Sequence, residues 1–342
     1  MTSADPAPVR PARVPYLDWI RALGAIAVVL LHMEVTSGAV EELAAANPLA
    51  FAVEDALLVP LARWAVPVFF MVSGALMLDP AREMGWRKIG RHVWRIVFVL
   101  LTIGLGFNLV EQFASAGTFG LAQVGGALLD LARGQSWDHL WFLFELIGLY
   151  AITPVIRPWV ERASGRELGA TIAVLWLLLC VIPMVNDLTG LELYGWVKLS
   201  YAVPYYLAGW FCRRHLDLDA RVCAVGIVSI VAATVLTRSG IPNADGAQFP
   251  EWAFMLPYSM FVFCAVKRLA PSELPRWAQV LASYSFGIYV LHPVFNHVLV
   301  RVVDVATWPL ALVQIALVVG GVLLSVALTW VLRHIPVFAN KL

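Results

Sequence analysis

Arg21 and His32 stand with ten residues between them in YLDWIRALGAIAVVLLHMEV, a segment that is otherwise mostly apolar. A step of eleven residues is close to three turns of helix, so on a helix both side chains share one face about 16 Å apart. An arginine near the centre of a membrane span costs ~2.5–3.5 kcal/mol on insertion scales, which makes such residues candidates for function by default. Arg21 has the charge and fork to hold an anionic group, with Asp18 one turn earlier to orient it, and His32 can act as a general base toward a hydroxyl. The structural alternative is that Arg21 snorkels to the headgroups while His32 hydrogen-bonds a neighbouring helix.

Further motifs hold reactive side chains. In SYSFGIYVLHPVF, Tyr289 and His292 lie three residues apart and share a helix face, although a single histidine before a proline is more often structural. HLWFL at 139–143, followed by Tyr150, brings His139 and Trp141 to one membrane interface, where an aromatic belt is the ordinary explanation. RKIGRHVWR at 87–95 offers Arg87, Lys88, Arg91 and Arg95 to the phosphates of a nucleotide-like donor, although cytoplasmic loops are basic in any case. PVFFMVSG at 67–74 reads as a kink and a close helix approach, with Ser73 and Gly74 as the small pair. No nucleophile elbow, phosphate loop, dinucleotide fingerprint or HExxH occurs, so soluble-type hydrolase, nucleotide-hydrolase and zinc-protease readings lack support, and no metal site is expected. The four cysteines, Cys180, Cys212, Cys223 and Cys264, lie in or beside apolar runs and read as packing residues.

The elements that must position these groups follow from composition. With 61% apolar and 14% charged residues, the chain is far from the soluble norm of about 45–50% and about 25%. A net charge of +1 without basic runs interleaved with aromatics gives no case for nucleic acid. Ten apolar stretches are long enough to cross a bilayer, near 17–37, 57–78, 93–113, 140–157, 169–186, 197–213, 221–238, 252–267, 279–299 and 308–332. Lipid requires them to be helices, giving an all-α integral membrane protein with about ten transmembrane helices. Eighteen of the twenty-four Lys and Arg residues fall in the tails and alternate loops, which places the N and C termini on the cytoplasmic side. The opposite loops are acidic, with Glu41, Glu42, Glu54, Asp55, Asp187, Glu192, Asp245 and Glu251. The expected organisation is a disordered cytoplasmic tail over 1–15, a membrane domain over 16–335 and a short cytoplasmic tail over 336–342. The moderately apolar loop 114–139 can lie in the interface as a short or re-entrant helix that caps an outward pocket.

Asp18, Arg21 and His32, then PVFFMVSG, HLWFL with Tyr150, and FGIYVLHP occur in an order that resembles the membrane-bound acyltransferase family 3 over nearly the whole chain. The resemblance implies a ten-helix, multi-pass acyltransferase of the cytoplasmic (inner) membrane. Such an enzyme takes an acyl group, commonly acetyl, from acyl-CoA as co-substrate and binds no resident cofactor. It passes the group to a hydroxyl of an envelope glycan or related acceptor. Carried over, His32 becomes the catalytic base and Arg21 a donor-binding residue. Many members carry paired arginines entering the third span; here the pairs at that spacing are Lys88 with Arg91 and His92 with Arg95. The expected partners are acyl-CoA, the acceptor and membrane lipids, and a homo-oligomer is compatible with the sequence. The competing class is a proton-coupled transporter of a small molecule or lipid-linked glycan, with Arg21, His32 and His292 as its relay.

Overall fold

A computed structural model describes residues 13–193, 198–242, 244, 246, 249 and 251–342. The expected tail over 1–15 lies almost entirely outside the described residues, as does Asp245. Among the described residues there is no strand. Long helices run over Pro15–Gly38 (α1), Pro48–Met77 (α2) and Trp86–Ala116 (α3), followed by the shorter Leu121–Ala132 (α4). Then come Trp141–Arg162 (α5), Gly165–Thr189 (α6), Ala202–Arg214 (α7), Ala220–Gly240 (α8), Met255–Leu269 (α9), Arg276–Val302 (α10) and Leu310–His334 (α11).

Local sequence explains the boundaries. Pro15 opens α1 where a missing N–H costs nothing, and Asp18 meets the positive end of the helix dipole. Ser164 and Glu167 form a capping box at the start of α6. Residues 63–64 form a turn inside α2, just before Pro67, whose ring removes the hydrogen bond that would return to Arg63. The expected irregularity beside PVFFMVSG is thus present, on the N-terminal side of the motif.

Each of the ten expected stretches falls on a helix, but among the described residues seven helices are long and apolar enough to cross a membrane by themselves: α1, α2, α3, α5, α6, α8 and α11. The others depart for physical reasons. The helices α7 and α9 have only 13 and 15 residues, whereas α10 has 27 but carries Ser283, Ser285, His292, Asn296 and His297. Nine residues of α7 are buried, so its surroundings are mostly protein and a long uniform apolar surface is not required. At the other extreme, only 11% of the most apolar stretch of α8 is buried, against 61% for α1, which packs on α2, α10 and α11.

The tightest seam joins α2 to α7. A Cβ on Gly74 would stand 1.8 Å from the Tyr206 carbonyl oxygen, and one on Gly209 1.8 Å from that of Met71. Two glycines therefore let the backbones touch, the close approach expected of the small pair in PVFFMVSG. At one end of the bundle Asp79 pairs with Arg213 at 2.7 Å and Arg82 at 3.7 Å, while Arg157 donates to the Asp79 carbonyl. These cations come from three loops expected on one side of the membrane. At the other end Arg238 pairs with Asp55 at 2.8 Å, and Gln314 donates to Glu54. The four cysteines are buried and unlinked.

Candidate active site

Two groups of side chains lie at the two ends of α1. At the Asp79 end, a cavity of about 240 Å³ is lined by Arg21, Ser73, His92, Arg95, Tyr150 and Tyr289 with apolar neighbours. Asp18, 7% exposed, pairs with Arg21 at 3.6 Å and also with Arg13, so the guanidinium is held from one side. Arg95 donates through Nε to the Lys341 carbonyl at 2.7 Å and lies 4.8 Å from the Phe286 ring centroid. Tyr150 donates to Ser73 at 3.4 Å. Two cations and several hydroxyls around an apolar throat suit a ligand with an anionic head and a narrower arm.

Eleven residues along α1, three histidines from three elements converge. The ring centroids of His32 and His292 are 4.7 Å apart, those of His139 and His292 5.5 Å, and those of His32 and His139 6.0 Å. Each ring has a nitrogen on a backbone carbonyl: His32 Nδ1 on Val28 at 2.9 Å, His139 Nε2 on Val290 at 3.1 Å, and His292 Nδ1 on Ile288 at 2.9 Å. Because a carbonyl only accepts, that nitrogen carries the proton, and the basic nitrogen of His32 is Nε2. Among the described residues no three His, Cys, Asp or Glu side chains are grouped so as to hold a metal ion.

Two cavities reach His32 and His139. The wider, about 780 Å³, is lined also by Glu41, Glu42, Trp137, His297 and Arg301. The narrower, about 380 Å³, is lined also by Arg63, Trp141, Tyr201, Phe249, Glu251 and Tyr289. Arg63 lies 4.9 Å from the Phe249 ring centroid. Burial raises the Glu251 carboxyl above its ordinary value; Asp187 adds to this and Arg63 opposes it. The expected short helix in loop 114–139 is α4, fixed against α3 by Gln112 to Asp130 at 2.8 Å and Asn108 to the Gln135 carbonyl at 3.0 Å. The loop continues into Ser136 and Trp137 at the wall of the wider cavity.

The structure brings together His32, His139, Trp141, Tyr289 and His292 at one end of α1, and Asp18, Arg21 and Arg95 at the other. It does not bring in Arg87, Lys88 or Arg91. These lie on the outer turns of α3, with Arg87 and Arg91 exposed, and none lines the cavity. Arg87 and Arg91 lie on another face of the helix from His92 and Arg95, whereas Lys88 shares that face but sits two turns before Arg95, short of the cavity. Sequence reasoning missed Arg63 and Glu251. The signal for Arg63 was present, an arginine inside an apolar span like Arg21, whereas Glu251 is an ordinary loop acid until folding encloses it.

The sequence model of the acyltransferase 3 family, described as an acyltransferase domain, matches residues 14–334. The chain belongs to the acyltransferase 3 family. That range holds every candidate residue above, from Asp18 to His292, so both groups of side chains lie within the matched domain. No curated protein matches the chain, and no solved structure does. Membership makes the protein a membrane acyltransferase in general terms, with multi-pass character supplied by the seven apolar helices.

Proposed function

We propose that the protein is an O-acyltransferase of the cytoplasmic membrane. It moves an acyl group such as acetyl from cytoplasmic acyl-CoA to a hydroxyl of an envelope sugar or similar acceptor. The observation that carries the reading is the pairing on one helix of a cationic cavity around Arg21 with a histidine cavity around His32. In this reading ten helices span, α7, α9 and α10 being sheltered by the others, and the Asp79 end, with its loop arginines, faces the cytoplasm along with both chain ends.

The anionic end of CoA docks against Arg21 and Arg95, and the pantetheine arm runs along α1 for about the 16 Å between Arg21 and His32. His32 Nε2 takes the proton of the acceptor hydroxyl as its oxygen attacks the thioester carbonyl carbon. The tetrahedral adduct collapses with loss of the C–S bond, and the CoA thiolate recovers the proton from His32, leaving ester and free thiol. General-base assistance of this kind contributes roughly 10²–10⁴-fold, and alignment of the two reactants adds to it. The acceptor enters from the Glu251 end, where Trp141 and Tyr201 offer rings to a sugar face and Arg63 and Glu251 offer a donor and an acceptor to its hydroxyls.

The test is mass spectrometry of ester-linked acyl groups on envelope glycans. Cells lacking the gene are complemented with wild type or with His32→Ala at equal membrane abundance. Acylation restored by wild type alone supports the reading and identifies the acceptor. Equal restoration by both removes His32 from the chemistry, and CoA-independent flux of a solute with no change in acylation favours the transporter.

A further inference from the structure

Among the described residues, Tyr289 is the one side chain that lines both the cationic cavity of Arg21 and a cavity containing His32. It therefore stands where a thioester arriving from one side meets a hydroxyl arriving from the other. Its residue is 4% exposed, its ring lies 5.2 Å from that of Phe142 and 5.6 Å from that of His139, and its hydroxyl is buried with no hydrogen-bond partner. A buried hydroxyl without a partner is costly, and nearly all native ones have one. Packing against Phe142 and His139 would be served as well by phenylalanine. The sequence instead places a donor at the junction of two cavities and gives it nothing to donate to.

We infer that Tyr289 is a catalytic residue whose Oη–H donates to the carbonyl oxygen of the acyl thioester and to the oxyanion that forms there. The inference rests on the acyl-CoA reading above and assigns the group that faces His32 across the reacting carbon. As the acceptor oxygen bonds to that carbon, the C=O π electrons move onto oxygen, where the phenol proton is shared without being transferred. When the C–S bond breaks the carbonyl re-forms, and the hydrogen bond weakens to its starting strength. A donor fixed in advance in a water-excluded site contributes most at this step, because it needs no reorganisation as charge develops. The position on α10 suits this: Tyr289 and His292 are one turn apart, and the carbonyls of Ile288 and Val290 pin His292 and His139, so one stretch of helix orients the donor and two imidazoles together.

The experiment compares acetyl-CoA with S-ethyl-CoA, which has the same length and head but a CH₂ in place of the carbonyl. Calorimetric binding is measured on purified wild type and Tyr289→Phe, and ester formation is measured in cells carrying each. The wild type is expected to bind acetyl-CoA about five- to tenfold tighter than S-ethyl-CoA, and Tyr289→Phe to bind both alike with the affinity for S-ethyl-CoA unchanged. Removal of one oxyanion donor costs roughly 10²–10³ in kcat, so ester content in the Tyr289→Phe strain should fall nearly to background at equal abundance. Equal binding of the two ligands by wild type overturns the inference and leaves the acyl-CoA reading in place, as does wild-type ester content in Tyr289→Phe. A hydroxyl that only turned toward His292 Nε2 would give the same ligand preference in both proteins, which also overturns it. If neither ligand binds wild type at millimolar concentration, the acyl-CoA reading fails and the role of Tyr289 fails with it.

Discussion

Replacing Arg21 by alanine should weaken acyl-CoA binding without disabling the chemistry, because the guanidinium lies about 16 Å from His32 along α1. A hydrogen bond to a charged group is worth about 1.5–3 kcal/mol. The Arg21 side chain is 36% exposed, so water screens part of that, and the lower portion of the range, about 1.5–2 kcal/mol, is appropriate. At about 1.4 kcal/mol per decade this is roughly a 10–30-fold rise in Kd. Arg95 lines the same cavity and keeps some affinity in the variant. Arg21→Lys retains the charge but loses the fork, and should lie between wild type and alanine. The assay is calorimetric titration with CoA, paired with thiol release from acetyl-CoA at saturating donor, since KM equals Kd only when chemistry is slow. A Kd within twofold of wild type together with a collapsed kcat would refute the reasoning, because it would make Arg21 part of the chemistry or of the fold rather than the donor anchor.

Gly209→Val should destabilise the fold by at least about 1–3 kcal/mol, the usual cost of overpacking, because its first side-chain carbon would overlap the Met71 carbonyl; a lowered melting temperature in detergent checks this. Glu251→Gln should raise stability at neutral pH. Its folded carboxyl titrates above the unfolded one, so stability is full below the unfolded value and declines as pH rises through the folded value; melting curves from pH 4 to 8 should lose that decline in the variant. Acetyl-pantetheine, which keeps the arm but lacks the nucleotide phosphates, should bind wild type and Arg21→Ala with equal affinity. A further loss on the variant would show that Arg21 touches the arm rather than the head.

Much of this was legible in the sequence because lipid penalises exceptions. Ionisable residues in an apolar run stand out there, and Asp18, Arg21 and His32 were singled out on that ground, whereas His292 beside Pro293 read as structural when taken alone and Arg63 was passed over. The helical period then placed Arg21 and His32 on one face, as the structure has them facing cavities at the two ends of α1. What stayed hidden depends on contacts between distant segments. His139 and Trp141 read equally well as an interfacial belt, and only the fold sets the His139 ring 5.5 Å from that of His292, 153 residues away in sequence. The basic stretch at 87–95 showed its charge but not which turns face inward. The apolar stretch at 197–213 folds as the 13-residue α7, nine of whose residues are buried, so its hydropathy reflects packing against other helices as much as contrast with lipid.

In the proposed mechanism, the placement of the three histidines also bears on why α1 is suited to carry the base. Of the elements carrying them, the segment before α5 is a single short turn and α10 carries Pro293 inside it next to His292, whereas α1 is buried along most of its length and also carries Arg21. A base must keep its position to within a fraction of an ångström relative to both the thioester and the acceptor. His32 obtains this from a helix enclosed by α2, α10 and α11, and from its own bond back to Val28, which fixes the ring and leaves Nε2 as its basic nitrogen. On the proposed roles, Arg21 rides on the same helix as His32, so the distance from donor anchor to base is set by that helix alone. The proposed acceptor side lacks that constraint: Arg63, Trp141 and Glu251 come from three separate segments. Different acceptors can then be accommodated by changing those segments while the donor half stays fixed.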